Sequence, residues 1–235
     1  MLIQKLELQM LTEANMATNT QRSDYFSATD ESRALMDKYK HFNIRFSGPD
    51  AKDRPELERF IYNSFKSAYG AQVKHFMPLL VSLRDAKGDL IAVCGFRNAG
   101  AEKLFLETYV DEPIDAVLSS KSGKEVARKD IVEVGNFAVF PPGMSRHMIT
   151  VLAAYIHTIG AKWIVFTAIP KIRNAWKRLG VNLLQICEAS KERLDCDCRE
   201  EWGNYYDTCP YVVAVNVPEC YFLLRKDFES VENLP

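Results

Sequence analysis

Between Ile131 and Leu179 the chain alternates elements in an order that leaves few topologies open. Ile131 to Phe140 has strand character, and Pro141-Pro142-Gly143 forces a turn. Met148, Leu152, Tyr155 and Ile159 trace one face of a helix that stops at Gly160. Trp163 to Ala168 reads as a short apolar strand, and Ile172 to Leu179 as a short helix closed by Gly180. Strand, tight turn, helix, strand in this order implies parallel pairing of the two strands through a right-handed crossover.

The flanking segments supply more strands and one further helix. Residues 42 to 47, FNIRFS, alternate apolar and polar until Gly48-Pro49-Asp50. Pro55 opens a helix whose Leu57, Phe60, Ile61, Phe65, Ala68 and Tyr69 recur at helical spacing up to Gly70. Pro78 to Leu83 and Leu90 to Phe96 read as strands joined by the hairpin-type turn 85 to 89. Leu104 to Tyr109 is expected as a short strand, and the Ser/Lys/Gly-rich stretch 119 to 124 as a loop. Leu183 to Ala189 and Tyr211 to Val217 read as closing strands around an insert bearing Trp202, Tyr205 and Tyr206. The expectation is an α/β fold with a central twisted mixed sheet flanked by helices, in one domain over residues 41 to 225. Residues 1 to 40 are read as an arm or lid, and 226 to 235 as a tail.

Composition narrows the function classes. With 30 basic against 31 acidic residues and a net charge of -1, no global field draws nucleic acid or an anionic membrane. The longest charge-free helical stretch, His147 to Ala161, is shorter than the roughly 20 apolar residues of a transmembrane helix. Lys5, Glu7 and Glu13 interrupt the N-terminal apolar residues, so no secretory signal is read and a cytoplasmic location is expected. Free thiols are the default for the six cysteines in such a compartment. Cys196, Cys198, Cys209 and Cys220 match zinc spacing poorly, and no metal is assigned.

Chemistry concentrates around Val132 to Val139. On a regular strand Ile131, Glu133, Gly135 and Phe137 share a face, which places a carboxylate among apolar groups where desolvation raises its pKa. A salt bridge to a neighbouring strand is the competing reading. Gly135 marks a bulge or the close approach of a backbone or ligand. In the next turn, the first helical amides and Arg146 suit a phosphate, with Gly143 and Ser145 beside them; Ser145 could instead cap the helix. The basic run Lys171 to Arg178, with Arg173 and Asn174, would give a pyrophosphate cationic company or form a solvated helix face. Walker A, dinucleotide-binding glycine, zinc-protease and nucleophile-elbow motifs are all absent.

The VEVGNFAV strand, the turn and the WIVFTAIPKIRNAWKRLGV segment together resemble the core of the GNAT acyltransferases, in which two diverging parallel strands bind coenzyme A. VEVGNFAV is similar to the E-x-S-R-F-x-V strand of acyl-homoserine-lactone synthases, with Glu133 at their acidic position and Asn136 in place of their arginine. From about Phe42 to Val217, through YGAQVKHFMPLL, LFLETYVD, IVEVGNFAV and EWGNYY, the chain resembles the thermostable hemolysin family of the delta type.

These resemblances imply transfer of an acyl group, fatty acyl in kind, from acyl-CoA or an acyl carrier protein to a small-molecule amine, with no tightly bound cofactor. A membrane-acting cytolysin and an inactive binding module are the alternatives, and the oligomeric state stays open. In this reading Glu133 is the base. Gly135, Asn136, Phe137, Gly143, Ser145, Arg146, Arg173 and Asn174 hold the donor. Phe65, Tyr69, Phe76, Phe105 and Tyr109, with Glu107, face the substrate. The usual phosphate loop is replaced by Pro-Pro-Gly-Met-Ser-Arg, and the GNAT general-acid tyrosine maps to Trp176. Tyr205 or Tyr206 would take that role, or the thiolate leaves unassisted.

Overall fold

The computed structural model describes residues 42–229, apart from the side chains of 196–198 and 225–229. The arm or lid read over 1 to 40 and the last residues of the tail lie outside the described residues. The strands are β1 (Asn43–Ser47), β2 (Leu79–Arg84), β3 (Leu90–Asn98), β4 (Ile131–Val139), β5 (Trp163–Ala168), β6 (Leu184–Glu188) and β7 (Tyr211–Asn216). The helices are α1 (Arg54–Tyr69), α2 (Ile114–Ser122), α3 (Ser145–Thr158), α4 (Pro170–Arg178), α5 (Cys196–Glu201) and α6 (Val217–Glu229). The boundary drawn at residue 225 therefore falls inside α6.

One seven-stranded sheet runs in the order β1-β2-β3-β4-β5-β7-β6. β4 and β5 pair in parallel and the other neighbours are antiparallel, so the mixed α/β fold and the crossover are both present. Strand alternation sorts side chains between two faces. Val132, Val134, Ile164, Phe166, Val213 and Val215 bury one face beneath α3 and α6. Ile131, Val165, Val212 and Ala214 bury the other against Leu104, Leu106, Ile114 and Leu118. On that second face α1 packs Leu57 and Ile61 over Leu80, Val93 and Ala138.

Two local expectations are corrected. Phe105–Tyr109 is a 3-10 turn and not a strand, because its first amides bond to carboxylates instead of a neighbouring strand. The stretch read as a loop is largely α2. Ile114 and Leu118, one turn apart, are both buried; Glu107 accepts the Ile114 amide, and Gly123 closes the helix in the left-handed conformation.

Candidate active site

β4 and β5 pair only from Ile131↔Trp163 to Val134↔Phe166. β4 then runs on to Val139 and β5 to Ala168, so two adjacent parallel strands separate and leave a gap between them. A bulge makes the departure abrupt. Val93 is opposite Ala138 and Gly95 is opposite Gly135, so Cys94 alone faces both Asn136 and Phe137. Asn136 takes the left-handed conformation at φ 50°, which asparagine tolerates better than most residues. The extra residue reverses the facing of the next side chains along β4. Phe137, expected on the face of Glu133, packs with the opposite core, and Ala138 joins the face of Gly135.

The gap opens into a cleft of about 180 Å³. Its floor is Glu133 to Phe137, with Phe166 and Thr167 of β5 across the gap and Ile172 and Trp176 of α4 as one wall. The facing wall comes from residues 73 to 77 and from Trp202, Tyr205 and Tyr206. Arg54 anchors the start of β2, donating to the carbonyls of Met77, Pro78 and Ser47. The EWGNYY segment is docked by backbone bonds: Gln72 donates to the carbonyl of Glu201 at 2.6 Å, and Asn204 to that of Tyr69 at 2.9 Å. Gly203 makes the docking possible, since a Cβ there would stand 2.1 Å from the Tyr69 carbonyl oxygen. Lys74 and Glu201 link the two parts of this wall by a 2.8 Å ion pair.

Glu133 lies at the base of the cleft, 3% exposed. Its Oε2 accepts the amide of Phe105 and its Oε1 that of Leu106, each at 2.9 Å. Burial pushes the carboxyl up to about 7, outweighing the two amide donors and Arg97, whose Nε is 3.8 Å from Oε2. The group therefore titrates near neutrality, where a general base is effective. Glu107, expected to face the substrate, is not among the cleft-lining residues. Arg128 grips its carboxylate at 2.6 and 2.9 Å while Leu104 and Ile114 donate their amides, and this arrangement holds it down to about 2.

Several other expected residues do meet in the cleft: Phe65, Tyr69, Phe76, Phe105, Tyr109, Tyr205 and Tyr206. Tyr205 is packed among Phe65, Tyr69, Trp202 and Tyr206, and burial raises its phenol. The Tyr206 hydroxyl lies 2.5 Å from that of Tyr109. Asn136 lines the cleft, but its amide is engaged, accepting the Met77 N–H at 2.7 Å and donating to the His75 carbonyl. The close approach at Gly135 comes from within the protein. Gly135 and Gly95 lie opposite each other, and a Cβ on either would meet the Met77 side chain at 2.4 Å.

Gly143, Ser145, Arg146, Arg173 and Asn174 are not among the cleft-lining residues. Ser145 begins α3 without capping it; no side chain caps this helix and no acid occupies its first turn. Arg146 is exposed there. Arg173 donates to the carbonyls of Ala168 and Cys209 and stacks over Tyr211, so its guanidinium ties strand ends together. Trp176 lines the cleft against Phe166. Arg97 carries no signal in the sequence, since it belongs to none of the segments singled out above, and Met77 lies in YGAQVKHFMPLL with nothing there to mark it as a cleft residue. No group of acids, histidines and cysteines suited to a metal occurs among the described residues. No helix among them is long and apolar enough to cross a membrane.

A family model described as thermostable hemolysin matches residues 47–221. No curated protein sequence matches the chain significantly. Among solved structures, FeeM, an N-acyl amino acid synthase from uncultured soil microbes, superposes with a TM-score of 0.54 at 16% identity, over 76% of this chain and 92% of that one. The acyl-homoserine-lactone synthase LasI gives 0.51 at 11% identity, over 75% and 90%. BjaI, a CoA-dependent acyl-homoserine-lactone synthase with SAM and isopentyl-CoA, gives 0.54 at 8% identity, over 80% and 90%. The fold is thus the GNAT-like fold of acyl-transferring synthases.

Proposed function

Because the chain belongs to the thermostable hemolysin family and carries a cleft between parting strands, we propose that it is an N-acyltransferase. In this reading an acyl group passes from the thioester of coenzyme A or an acyl carrier protein to a small-molecule amine. One observation carries the reading: β4 and β5 stop pairing at Val134 and Phe166, and a buried carboxylate lies where they part. The amides of β4 beyond Val134 have no partner on β5, which leaves hydrogen-bonding groups for an extended pantetheine arm and for the thioester oxygen.

The reaction forms a C–N bond and breaks a C–S bond. Glu133 takes the proton that the nitrogen sheds as the amide forms. The departing thiolate needs one proton, and Trp176 cannot supply it, since an indole N–H is far too weak an acid. Tyr206, hydrogen-bonded to Tyr109, is the better placed phenol, because the phenol of Tyr205 is enclosed by rings and made less acidic by burial. Phe65, Tyr69, Phe105 and Trp202 give the cleft an aromatic wall suited to an acyl chain. The uncapped start of α3, with Arg146, is the proposed phosphate site.

The test is thiol release from acyl-CoA and acyl-carrier-protein donors of graded chain length against a panel of amines, with mass spectrometry of the product. An N-acyl product formed only in the presence of enzyme supports the reading. Donor binding with no thiol release from any pair would reduce the protein to a binding module, and lysis of red cells by lipid-free protein without any thioester would make it a cytolysin.

A further inference from the structure

Arg97 lies opposite Glu133 in the β3–β4 register and lines the cleft. Its neighbours leave it unusually poorly satisfied. A guanidinium offers five N–H donors. Arg54 commits its fork to Glu58 and three carbonyls, and Arg128 commits its own to Glu107, Asp115 and two carbonyls. Arg97 makes a single long hydrogen bond, from NH1 to the Lys103 carbonyl at 3.3 Å. The carboxylates of Glu102 and Glu133 stand at 3.6 and 3.8 Å, beyond hydrogen-bond length, and Nε is buried without a partner. Both Glu133 oxygens already accept backbone amides. Arg97 is also 20% exposed in its side chain, so a ligand in the cleft can reach it.

A half-buried guanidinium with idle donors matches a planar anion able to accept two parallel hydrogen bonds. The base lies 3.8 Å from it. In an α-amino acid the nitrogen and the carboxyl carbon are about 2.5 Å apart, from the bond lengths on either side of Cα. One such molecule can therefore present its amine to Glu133 and its carboxylate to Arg97 together. We propose that Arg97 is the carboxylate-binding residue of the acceptor subsite and that the acceptor is an amino acid. This rests on the acyl-transfer reading above and adds the identity of the acceptor class.

The experiment compares the protein amino acids with their primary amides as acceptors, in wild type and in Arg97→Met and Arg97→Lys. Wild type should favour acid over amide by ~10²-fold or more in kcat/KM, because an unmatched guanidinium penalises the analogue that lacks the anion. Arg97→Met should bring that ratio close to one, chiefly by raising KM for the acid. Arg97→Lys should recover part of the preference, as a charge without the planar fork. Thiol release with amides as fast as with acids would overturn the carboxylate subsite while leaving acyl transfer standing. Equal losses for acid and amide in Arg97→Met would also overturn it, since they would mark a structural role. Calorimetric titration of acids and amides decides the point without turnover: saturable binding of acids to wild type but not to Arg97→Met supports the subsite, and no preference in wild type refutes it.

Discussion

Replacing Glu133 by Gln should trade activity for stability in a pH-dependent way. The carboxyl rises from the 4.5 of an exposed glutamate to about 7 in the folded chain, so folding favours its neutral form. The stability that this contributes is complete below 4.5 and is lost as pH rises through about 7, amounting to about 3 kcal/mol at about 1.4 kcal/mol for each pH unit. A glutamine carries no such dependence. It does turn an N–H toward one of two donors, the amides of Phe105 and Leu106, which costs ~1 kcal/mol at every pH. The variant should therefore be slightly less stable than wild type at pH 5 and more stable by ~2 kcal/mol at pH 8.5, the difference between these two contributions. Urea unfolding of both proteins at these pH values measures the crossing. In the same variant kcat/KM should fall ~10²-fold or more and lose the inflection near neutrality. A wild-type advantage that stays constant or grows from pH 5 to 8.5 would refute the description of Glu133 as a buried carboxylate held near its titration point.

The other expectations concern the donor site, the glycine pair and the salt bridge behind the cleft. Arg146→Ala should raise the donor KM ~10-fold, since an exposed charge-assisted phosphate contact is lost; equal donor affinity would remove the phosphate role. Gly95→Ala should cost ~2 kcal/mol or more and Gly135→Ala ~1 kcal/mol or less, because the first meets Met77 at Cβ and the second only at its mobile Cε. Comparable losses in urea unfolding would show that Met77 is not the obstacle. Arg128→Met should cost ~2 kcal/mol at pH 7, because Glu107 loses its fork, although Arg128 is itself partly exposed. The Glu107 carboxyl is depressed to about 2, so the pair contributes above 4.5 and fades as pH falls through about 2. The penalty at pH 3 should therefore be smaller than at pH 7.

The parallel pair and its crossover are legible because Pro141-Pro142-Gly143, Gly160 and Gly180 punctuate segments of clear period. The burial of Glu133 follows from alternation with Ile131, and alternation fails at Phe137 because the bulge that Gly135 signals falls just after it, at Asn136 and Phe137. Gly135 announces that something comes close, but the neighbour is Met77, distant in sequence and carried in by Arg54. The 3-10 turn at Phe105–Tyr109 is hidden for a related reason. Its apolar residues look like a strand, yet its conformation is fixed by two carboxylates, one of them Glu133 on β4. Arg97 escapes notice because an arginine left unsatisfied by its surroundings looks in sequence like any other.

The wall of the cleft that joins Tyr69–Gln72 to Glu201–Asn204 has a consequence for biosynthesis. Those backbone bonds connect segments separated by most of the chain, and β7 slots between β5 and β6 only after both have been made. An emerging polypeptide can collapse its first strands around α1, yet the cleft lacks its aromatic wall until Trp202 to Tyr206 have been made. Truncated or stalled products would then carry the Glu133 carboxylate without the Trp202–Tyr206 wall beside it.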